Sequence, residues 1–383
     1  MQLYHFDVGV FLSQYWQKKP LLIRKAWASW SNPLAPDELA GLACEEEIES
    51  RLIRPTHDSL SVEHGPIPEG RFQELGDTPW TLLVQSVDQF VPEVAALLEP
   101  FRFVPNWRVD DVMVSYATDG GGVGPHFDQY DVFLVQGMGR RRWRVGQRCG
   151  KDTVLLPHDE LRLLASFEAI DEWILEPGDI LYVPPGVAHE GVAVGRDCMT
   201  YSIGFRAPSR AELVAGWSED VFNRLTHDDR YSDPDLAAQD NPGEIAPEAV
   251  AKLHAMATEN MLDLKAFGRW FGQYSTSRKV AGVDWQPEQP VDAEQVRRHV
   301  AEGTQLCRNQ SSRFSFVREQ AGLVLLFVDG QCFECREESA PFAELLCAQS
   351  RVRIDPRLAQ SEAAISLTTQ LWNQGSVTFD GDD

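Results

Sequence analysis

The feature that most constrains the fold is a run of short, strand-like segments between residues 105 and 207. Glycine and proline turns separate segments rich in β-branched and aromatic residues, namely WRVDDVMVSYA, FDQYDVFLVQG, RRWRVG, DEWILEPGDILYVPP and CMTYSIGFRAP. Short strands at this spacing are typical of an all-β sandwich or a small barrel. The sequence therefore predicts a β-rich core in this part of the chain.

The sequence before this core predicts mixed structure. DVGVFLSQYWQ and PDELAGLACEEE predict two short helices, and PLLIRKAW predicts a strand. Residues 78–101 carry apolar residues at helical spacing, and Pro92 predicts a break between two helices there. Together with the core, these elements form a predicted first domain over residues 1–208.

The sequence after the core is predominantly helical, so the whole chain is predicted to be α+β. Helical periodicity extends over residues 209–279, and a boundary is predicted near residues 280–290. The third predicted domain, residues 285–383, has the order of a winged helix. Residues 291–383 contain no lysine and more acidic residues than arginines, whereas a DNA-reading winged helix needs a basic face. We interpret this domain as a structural or protein-contact module.

The composition bounds the partners and the compartment. A net charge of −23 argues against direct binding to nucleic acid and favours a basic partner. The alternative is that the charge only keeps the protein soluble. The N-terminal stretch lacks signal-peptide features, and no apolar run reaches the roughly 18 residues of a membrane span. The seven cysteines are odd in number and scattered, so we expect a reduced, cytoplasmic protein without membrane association.

Only Cys332 and Cys335 have the spacing of a metal or redox motif. A zinc site would need a second pair at similar spacing, and the sequence has none. The two cysteines follow an apolar run with an Asp-Gly hairpin signal, which predicts a β-strand. We interpret them as structural.

The segment GGGVGPHFDQYD contains the strongest metal-binding signal, His126-x-Asp128. If these residues lie on a strand, both side chains point to one face and can reach one ion. The best third ligand is His189 in PPGVAHEG. Two histidines and one carboxylate form the facial triad of non-haem Fe(II) oxygenases, whereas structural zinc sites are usually closed and rich in sulfur. The alternative is that the two histidines are unrelated.

An arginine-rich strand follows the predicted ligands. An oxygenase of this kind needs an acidic cosubstrate, and MGRRRWRV offers cationic anchors for it. Strand alternation places Arg141 on the same face as Trp143, so Arg141 is the predicted inward residue. A guanidinium can bind a carboxylate through two hydrogen bonds. The alternative is a basic surface strand.

These segments resemble the JmjC-type 2-oxoglutarate oxygenases, and more closely the bacterial ribosomal protein oxygenases. The resemblance covers nearly the whole chain, and GVGPHFDQYDVFLVQGMGRRRWRVG is its most specific part. It implies a double-stranded β-helix core of the jelly-roll or cupin type, a helical dimerisation region and a C-terminal winged-helix-like domain. It also implies a homodimer with Fe(II), 2-oxoglutarate and O2, acting on an arginine of a basic large-subunit ribosomal protein.

The resemblance also implies site residues. Iron falls on His126, Asp128 and His189, and the far carboxylate of 2-oxoglutarate falls on Arg141, helped by Ser115. The substrate-binding residues are predicted from the strand faces that surround this position. They are Asp111, Met113, Tyr130 and Ser202.

The first two of these lie on a strand with Ser115. In DDVMVSYA, Asp111, Met113 and Ser115 share one face, so Asp111 is predicted to lie nearer the mouth and to pair with a substrate guanidinium. Tyr130 is predicted to stack or hydrogen-bond beside it. A surface role for Asp111 and core packing for Tyr130 are the alternatives.

Three other functions remain open. A ribosomal histidine hydroxylase would share the iron and cosubstrate residues, and a lysine demethylase would use the same chemistry on methyl-lysine. A non-enzymatic cupin would bind a structural metal, although such a protein needs no cosubstrate anchor. Residues 120–122 and Gly124 are glycines that we expect to form a flexible approach to the site.

Overall fold

The structure is a computed structural model that describes residues 3–57, 59–76, 78–279, 283–320 and 322–381. Residues 280–282, at the start of the predicted domain boundary, lie outside the described residues. The contacts divide the chain into two units. The first consists of residues 1–207, 279–285 and 309–311, and the second of residues 208–278, 286–308 and 312–383. The division of the chain into three domains stays a prediction.

The first unit contains four α-helices and nine strands among the described residues. In chain order they are α1 (Val8–Gln14), β1 (Leu21–Ile23), α2 (Pro36–Leu42), β2 (Ser50–Pro55), β3 (Leu60–His64), α3 (Glu69–Glu74), β4 (Thr81–Val84), α4 (Pro92–Ala95), β5 (Val109–Ala117), β6 (Asp131–Arg148), β7 (Ala169–Leu175), β8 (Ile180–Val183) and β9 (Val187–Phe205). Short 3-10 helices cover Val87–Gln89, Ala96–Phe101 and Asn106–Arg108.

The local sequence explains where the first helices begin. The Asp7 carboxylate accepts a hydrogen bond from the backbone N–H of Val10 (2.7 Å) and thereby caps α1. Pro36 occupies the first turn of α2, and the Glu38 side chain accepts a hydrogen bond from the backbone N–H of Ala35 (2.8 Å). Both helices and β1 confirm the sequence predictions.

The strands form one antiparallel sheet in the order β1-β8-β6-β9-β5-β4-β2-β3, and β7 pairs with β6. The two longest strands, β6 and β9, pair along most of their length. The register of this pair shifts around Met138, where Gly139 has a φ of 61°. A bulge with a glycine in this conformation bends a strand. The bend lets one half of β6 pair with β8 and the other half with β7.

The predicted pair of helices at residues 78–101 is wrong in its first half. Thr81–Val84 is the strand β4, which pairs with β2 on one side and β5 on the other. All four of its residues are buried, and a short apolar run of this kind has no periodicity that separates strand from helix. The break at Pro92 is confirmed, because α4 begins there.

A buried charged network fixes the start of β6. Asp131 is fully buried, and its carboxylate accepts hydrogen bonds from the Tyr182 hydroxyl (2.6 Å) and the Gln17 amide (2.9 Å). It also pairs with the Arg108 guanidinium (3.1 Å). A buried carboxylate is tolerated when its oxygens are satisfied in this way. The network holds the chain immediately after the predicted ligand Asp128.

The second unit contains the predicted helices and a set of small sheets. In chain order its elements are α5 (Arg210–Arg224), α6 (Pro247–Thr258), α7 (Leu264–Thr276), α8 (Ala293–Glu302), β10 (Gln305–Arg308), β11 (Phe314–Gln320), β12 (Leu323–Val328), β13 (Gln331–Arg336), α9 (Ser339–Ala348), β14 (Arg351–Arg353), α10 (Glu362–Asn373) and β15 (Val377–Phe379). Two 3-10 helices cover Asn260–Leu262 and Pro356–Gln360.

The hairpin predicted in the second unit is present between β12 and β13. Asp329 and Gly330 form its turn with φ values of 50° and 81°, the left-handed conformation that such two-residue turns require. The three strands β11, β12 and β13 form one sheet, and β14, β10 and β15 form another. Among the described residues, no helix combines the length and the apolar composition needed to cross a bilayer.

Candidate active site

The three predicted metal ligands, His126, Asp128 and His189, come together in the first unit. His126 forms an isolated backbone bridge with His189, and their ring centroids lie 4.4 Å apart. The His189 Nε2 atom lies 3.5 Å from Oδ2 of Asp128. One potential ligand atom from each residue lies within 4.8 Å of the others. The three side chains can therefore reach a single metal ion.

The backbone around the two histidines selects the tautomer that suits a metal. Nδ1 of His126 lies 2.9 Å from the carbonyl oxygen of Gly124, and Nδ1 of His189 lies 3.0 Å from that of Val187. A carbonyl oxygen can only accept a hydrogen bond, so each Nδ1 carries the proton. In the neutral imidazole, this tautomer leaves the lone pair of Nε2 for coordination.

Burial keeps His189 neutral. It lowers the pKa of His189 to about 4, and the neighbouring His126 adds to this effect, while Asp128 opposes it. Metal ligands must be deprotonated, so an imidazole with a low pKa is ready to bind a cation near neutral pH.

The prediction that His126 and Asp128 lie on a strand is wrong. Both precede β6, which begins at Asp131, and an isolated bridge joins His126 to His189 of β9. The side-chain directions are nevertheless those of an extended chain, since Phe127 packs into a separate apolar cluster with Leu164.

The glycines before His126 fit a tightly packed loop. A Cβ atom on Gly122 would lie 2.6 Å from the carbonyl oxygen of Gly191, and one on Gly121 would lie 2.4 Å from that of Trp80. Hydrogen bonds join the loop to Ala193 of β9 in both directions. The expected flexible approach is therefore replaced by a loop held against the sheet, and the glycines serve close backbone contact.

Arg141 is buried as the alternation of β6 predicts. It is 5% exposed, and its guanidinium donates hydrogen bonds to the Ser115 hydroxyl (3.0 Å) and the Thr200 hydroxyl (3.2 Å). Its Nε atom is buried without a hydrogen-bond partner, and the described residues offer it no ion pair. Burial lowers the pKa of Arg141, and the Cys198 thiol partly opposes this. An arginine nevertheless stays protonated, so the site contains a cation that lacks an anion.

Trp143 connects Arg141 with the three ligands. Its ring centroid lies 5.5 Å from the guanidinium carbon of Arg141 and 5.9 Å from the ring centroid of His189. Its indole nitrogen is buried without a partner among the described residues. The Arg141 Nε and Trp143 Nε1 atoms are thus two buried donors near the histidines, and an acidic ligand could satisfy such donors.

Two residues beside Arg141 were missed in the sequence. The Thr200 hydroxyl donates a hydrogen bond to the Gln136 side-chain oxygen (3.2 Å), and the Gln136 amide donates one to the carbonyl of Met138 (2.8 Å). This chain of bonds orients the group that accepts from Arg141. Thr200 shares a strand face with the predicted Ser202, which was the available signal.

The predicted substrate residues lie along neighbouring strands. Met113 of β5 is directly opposite Ser202 of β9, and Ser115 is opposite Thr200. A bulge interrupts the pairing of β5 between Val109 and Val112, and Asp111 lies within it. A Cβ atom on Gly204 of β9 would lie 3.8 Å from the Oδ1 atom of Asp111. This carboxylate therefore lies just beyond Met113 and Ser202 along the two strands.

Asp111 is buried and already bound to a cation. Its Oδ2 atom accepts hydrogen bonds from the backbone N–H (3.1 Å) and hydroxyl (2.9 Å) of Ser86, and Nζ of Lys279 lies 2.8 Å away. Lys279 also lies 3.2 Å from Asp110. Burial lowers the pKa of Lys279, but Asp111 and Asp110 raise it more, so its net pKa is raised. The sequence contained no signal for Lys279, which lies far along the chain.

Tyr130 lies close to the Asp128 carboxylate and to the acidic pair of Asp110 and Asp111. Burial is the main cause that raises the pKa of Tyr130, and the charges of Asp128, Asp111 and Asp110 add to it. The residue as a whole is 43% exposed, so it reaches solvent beside the ligands.

Cys332 and Cys335 lie on β13, as predicted, but they face opposite sides of the sheet. Cys335 packs into the apolar core of the second unit, and Cys332 packs with Leu323, Leu325 and Phe327. Burial raises the pKa of both thiols, that of Cys335 to about 11. A pair that faces opposite ways cannot hold one metal ion.

Comparison with known families identifies both parts of the chain. Residues 96–213 match the family described as JmjC domain, and residues 253–378 match the family described as ROXA-like winged helix. These matches confirm the predicted α+β fold class, with a JmjC core of the cupin type followed by a winged-helix domain.

Two curated relatives cover most of the chain. The ribosomal protein uL16 3-hydroxylase of Escherichia coli (strain K12) is 43% identical over 299 residues, which is 78% of this chain and 79% of that protein. A probable ribosomal oxygenase of Haemophilus influenzae is 37% identical over 276 residues, which is 70% of this chain and 68% of that protein.

Solved structures extend the similarity to nearly the full length. YcfD, a ribosomal oxygenase from Escherichia coli in complex with cobalt and 2-oxoglutarate, is 35% identical with a TM-score of 0.87 and 99% coverage of each chain. Its complex with cobalt and succinic acid has a TM-score of 0.86 at 36% identity, again with 99% coverage of each chain. The chain is therefore an enzyme of the JmjC-domain ribosomal oxygenase family, as the sequence predicts.

Proposed function

We propose that this enzyme is an Fe(II)- and 2-oxoglutarate-dependent oxygenase that hydroxylates an arginine side chain of a large-subunit ribosomal protein. The observation that carries the proposal is the buried guanidinium of Arg141, which has no ion-pair partner among the described residues and lies one aromatic ring away from the His189 imidazole. The solved relative that contains cobalt and 2-oxoglutarate supports a metal ion together with 2-oxoglutarate as cosubstrate.

The residues of the site fit both Fe(II) and 2-oxoglutarate. His126, Asp128 and His189 would hold Fe(II), because they offer two imidazole nitrogens and a carboxylate. Arg141 and Ser115 would bind the far carboxylate of 2-oxoglutarate, and the orphaned Nε atom of Arg141 is a free donor for it. With oxygen, these groups supply the oxidising power for hydroxylation of an unactivated carbon, with release of succinate and carbon dioxide. The protein contributes positioning and a site shielded from water.

The acidic pair supports arginine as the substrate residue. Asp111 is buried beyond Met113 and Ser202, and the cationic side chain of Lys279 already binds there. Met113 and Ser202 would contact the aliphatic part of the substrate side chain, and Tyr130 would contact its cationic end. A neutral histidine carries no charge that could replace the Lys279 ammonium beside the buried carboxylate. The similarity to the uL16 3-hydroxylase supports a ribosomal protein as the target.

The test combines turnover with identification of the product. The full chain is incubated with Fe(II), 2-oxoglutarate and ribosomal proteins, and we expect succinate together with a gain of one oxygen mass on an arginine. His189→Ala should abolish both products, whereas His227→Ala, at an exposed position of the second unit, should not. Oxygen found on histidine would overturn the substrate assignment, and a lack of succinate would favour the non-enzymatic binding protein.

The helices of the second unit support a homodimer. Phe222 of α5 is 65% exposed and Leu264 of α7 is 80% exposed, and α6 has no buried residue in the chain alone. Apolar surface of this extent usually marks an interaction site, and we assign it to a second copy of the chain. Sedimentation velocity should give twice the monomer mass, and Phe222→Asp should reduce it to the monomer. A wild-type monomer would refute the dimer.

A ribosomal substrate also supports the predicted cytoplasmic location. Newly made ribosomal proteins and ribosomes are in that compartment in bacteria, and the predicted enzyme needs no membrane to reach them. Fractionation of cells that express the tagged full chain should recover the enzyme with the ribosome-containing fraction of the lysate. Recovery with membranes would contradict this assignment.

A further inference from the structure

We call the surface formed by Asp111, Met113 and Ser202 the substrate face. Its acidic pair, Asp110 and Asp111, binds a cation before any substrate arrives. The Asp111 side chain is 6% exposed, and Lys279 lies 2.8 Å from its Oδ2 atom. Asp110 also contacts Lys279, at 3.2 Å, and pairs with the Arg206 guanidinium at 3.1 Å. Two carboxylates and two cations therefore neutralise each other in the free enzyme. A substrate cation has to enter a site whose charge is already balanced.

The bonds on Asp111 are distributed unequally between its two oxygens. The Ser86 backbone N–H, the Ser86 hydroxyl and Lys279 all contact Oδ2. Within the part of the chain that the structure describes, no donor reaches Oδ1. Gly204 lies beside Oδ1 and has no side chain that would cover it. One oxygen of this buried carboxylate is therefore open to a second donor.

We propose that Lys279 is a specificity-determining residue, which occupies Asp111 in the free enzyme and is displaced by the guanidinium of the substrate. This inference rests on the proposed function at arginine. A guanidinium presents two parallel donors and can bind both Oδ1 and Oδ2, so it gains a bond that Lys279 does not make. A substrate lysine would exchange one ammonium for another without such a gain. A histidine is mostly neutral at pH 7 and would compete poorly.

The first experiment measures displacement directly. The full chain with Fe(II) and 2-oxoglutarate is kept without oxygen, so that no turnover occurs, and its lysines are acetylated with and without N-acetylarginine methylamide. Mass spectrometry then gives the acetylation rate of Lys279. We expect a severalfold rise with the arginine probe and none with the neutral citrulline analogue. Lys25, an exposed lysine of the same unit, is the internal control. An unchanged rate for Lys279 would overturn the proposal.

The second experiment uses two variants with opposite expected effects. Lys279→Met removes the competing cation, so the KM for the arginine-bearing substrate should fall by about tenfold, because the free site is no longer occupied. Lys279→Arg offers the same two donors as the substrate, so its KM should rise. Lys25→Met, with the same loss of charge, should leave both KM and kcat unchanged. A KM that moves in the same direction in both Lys279 variants would contradict displacement.

The two experiments separate this inference from the proposed function. If the arginine probe releases Lys279 but no arginine is hydroxylated, the guanidinium site stands and the proposed reaction is wrong. If arginine is hydroxylated while Lys279 acetylation and both KM values stay constant, the reaction stands and Lys279 has no part in specificity. Thermal unfolding of the Lys279 variants, compared with Lys25→Met, shows whether a changed KM reflects a loss of folded protein.

Discussion

At the scale of single residues, Arg141 decides whether the site can accept an acid. Among the described residues it is bonded only to the hydroxyls of Ser115 and Thr200, so its charge is unpaired. Arg141→Lys keeps the charge but loses the planar pair of donors, and we expect the KM for 2-oxoglutarate to rise by about tenfold or more. Succinate formation at varied 2-oxoglutarate concentration measures it. Arg140→Lys, at an exposed position of the same strand, is the control, and an equal KM in both variants would contradict the assignment.

Thr200 is a second residue whose role can be tested. Thr200→Val removes the hydroxyl that accepts from Arg141 and donates to Gln136, while the volume stays the same. A hydrogen bond to a charged group contributes about 1.5–3 kcal/mol, so the KM for 2-oxoglutarate should rise by about tenfold or more. Thr81→Val is a matched control, because the Thr81 hydroxyl is buried without a partner among the described residues. If both variants behave alike, Thr200 does not position Arg141.

At the scale of elements, the loop before His126 depends on glycine for its contact with β9. In Gly122→Ala the new methyl group would lie 2.6 Å from the carbonyl oxygen of Gly191, so one backbone segment has to move. We expect a loss of about 1–3 kcal/mol of folding free energy. Succinate formation should fall equally with and without protein substrate, because the shift displaces His126 itself. Thermal unfolding and both assays measure this.

The control for the loop is Gly150→Ala, where the added methyl group would meet no atom within 4 Å. It should change neither stability nor turnover. A selective loss of protein-substrate turnover in Gly122→Ala, with 2-oxoglutarate decay intact, would instead show that the loop acts on the substrate. That outcome would restore the expectation of a flexible approach, which the close contact with Gly191 now argues against.

The sequence predicts most elements because their signals are local. The proline at the start of α2, the Asp-Gly turn after β12 and the alternation around Arg141 are properties of a few neighbouring residues. The strand β4 was mistaken for helix because its four buried residues have no period, and pairing with β2 and β5 decides its conformation. The position of His126 was likewise decided by a single bridge to His189.

At the scale of the whole molecule, the contacts that sequence could not predict are those between distant segments. Lys279 reaches Asp111 across 168 residues, and Thr200 reaches Arg141 across 59. Strand parity predicts which side chains share a face, but it does not tell which remote residue completes their bonding. The metal ligands could be predicted from the sequence because each histidine lies in a recognisable local motif. Lys279 lies in no such motif.

The net charge of −23 is the remaining property of the whole chain, and it predicts how the enzyme meets its substrate. Ribosomal proteins are basic, so the opposite charges should accelerate their encounter. Raising the ionic strength from about 0.01 M to about 0.1 M shortens the screening length from about 30 Å to about 10 Å. We therefore expect the KM for an intact ribosomal protein to rise severalfold over this range. The KM for 2-oxoglutarate should change little, because Arg141, which we propose as its partner, is buried.

The same charge should exclude direct binding to nucleic acid, and this gives the control. Ribosomal RNA alone should not bind the full chain at about 0.1 M salt, because the phosphate backbone needs a basic surface to release its counterions. If the KM for the protein substrate is insensitive to salt, long-range attraction has no part in recognition, and the substrate face around Asp111 alone has to account for the choice of substrate. If RNA binds tightly, the excess of acidic residues is distributed so that a basic surface remains, and the enzyme would find its substrate within an assembled ribosomal particle.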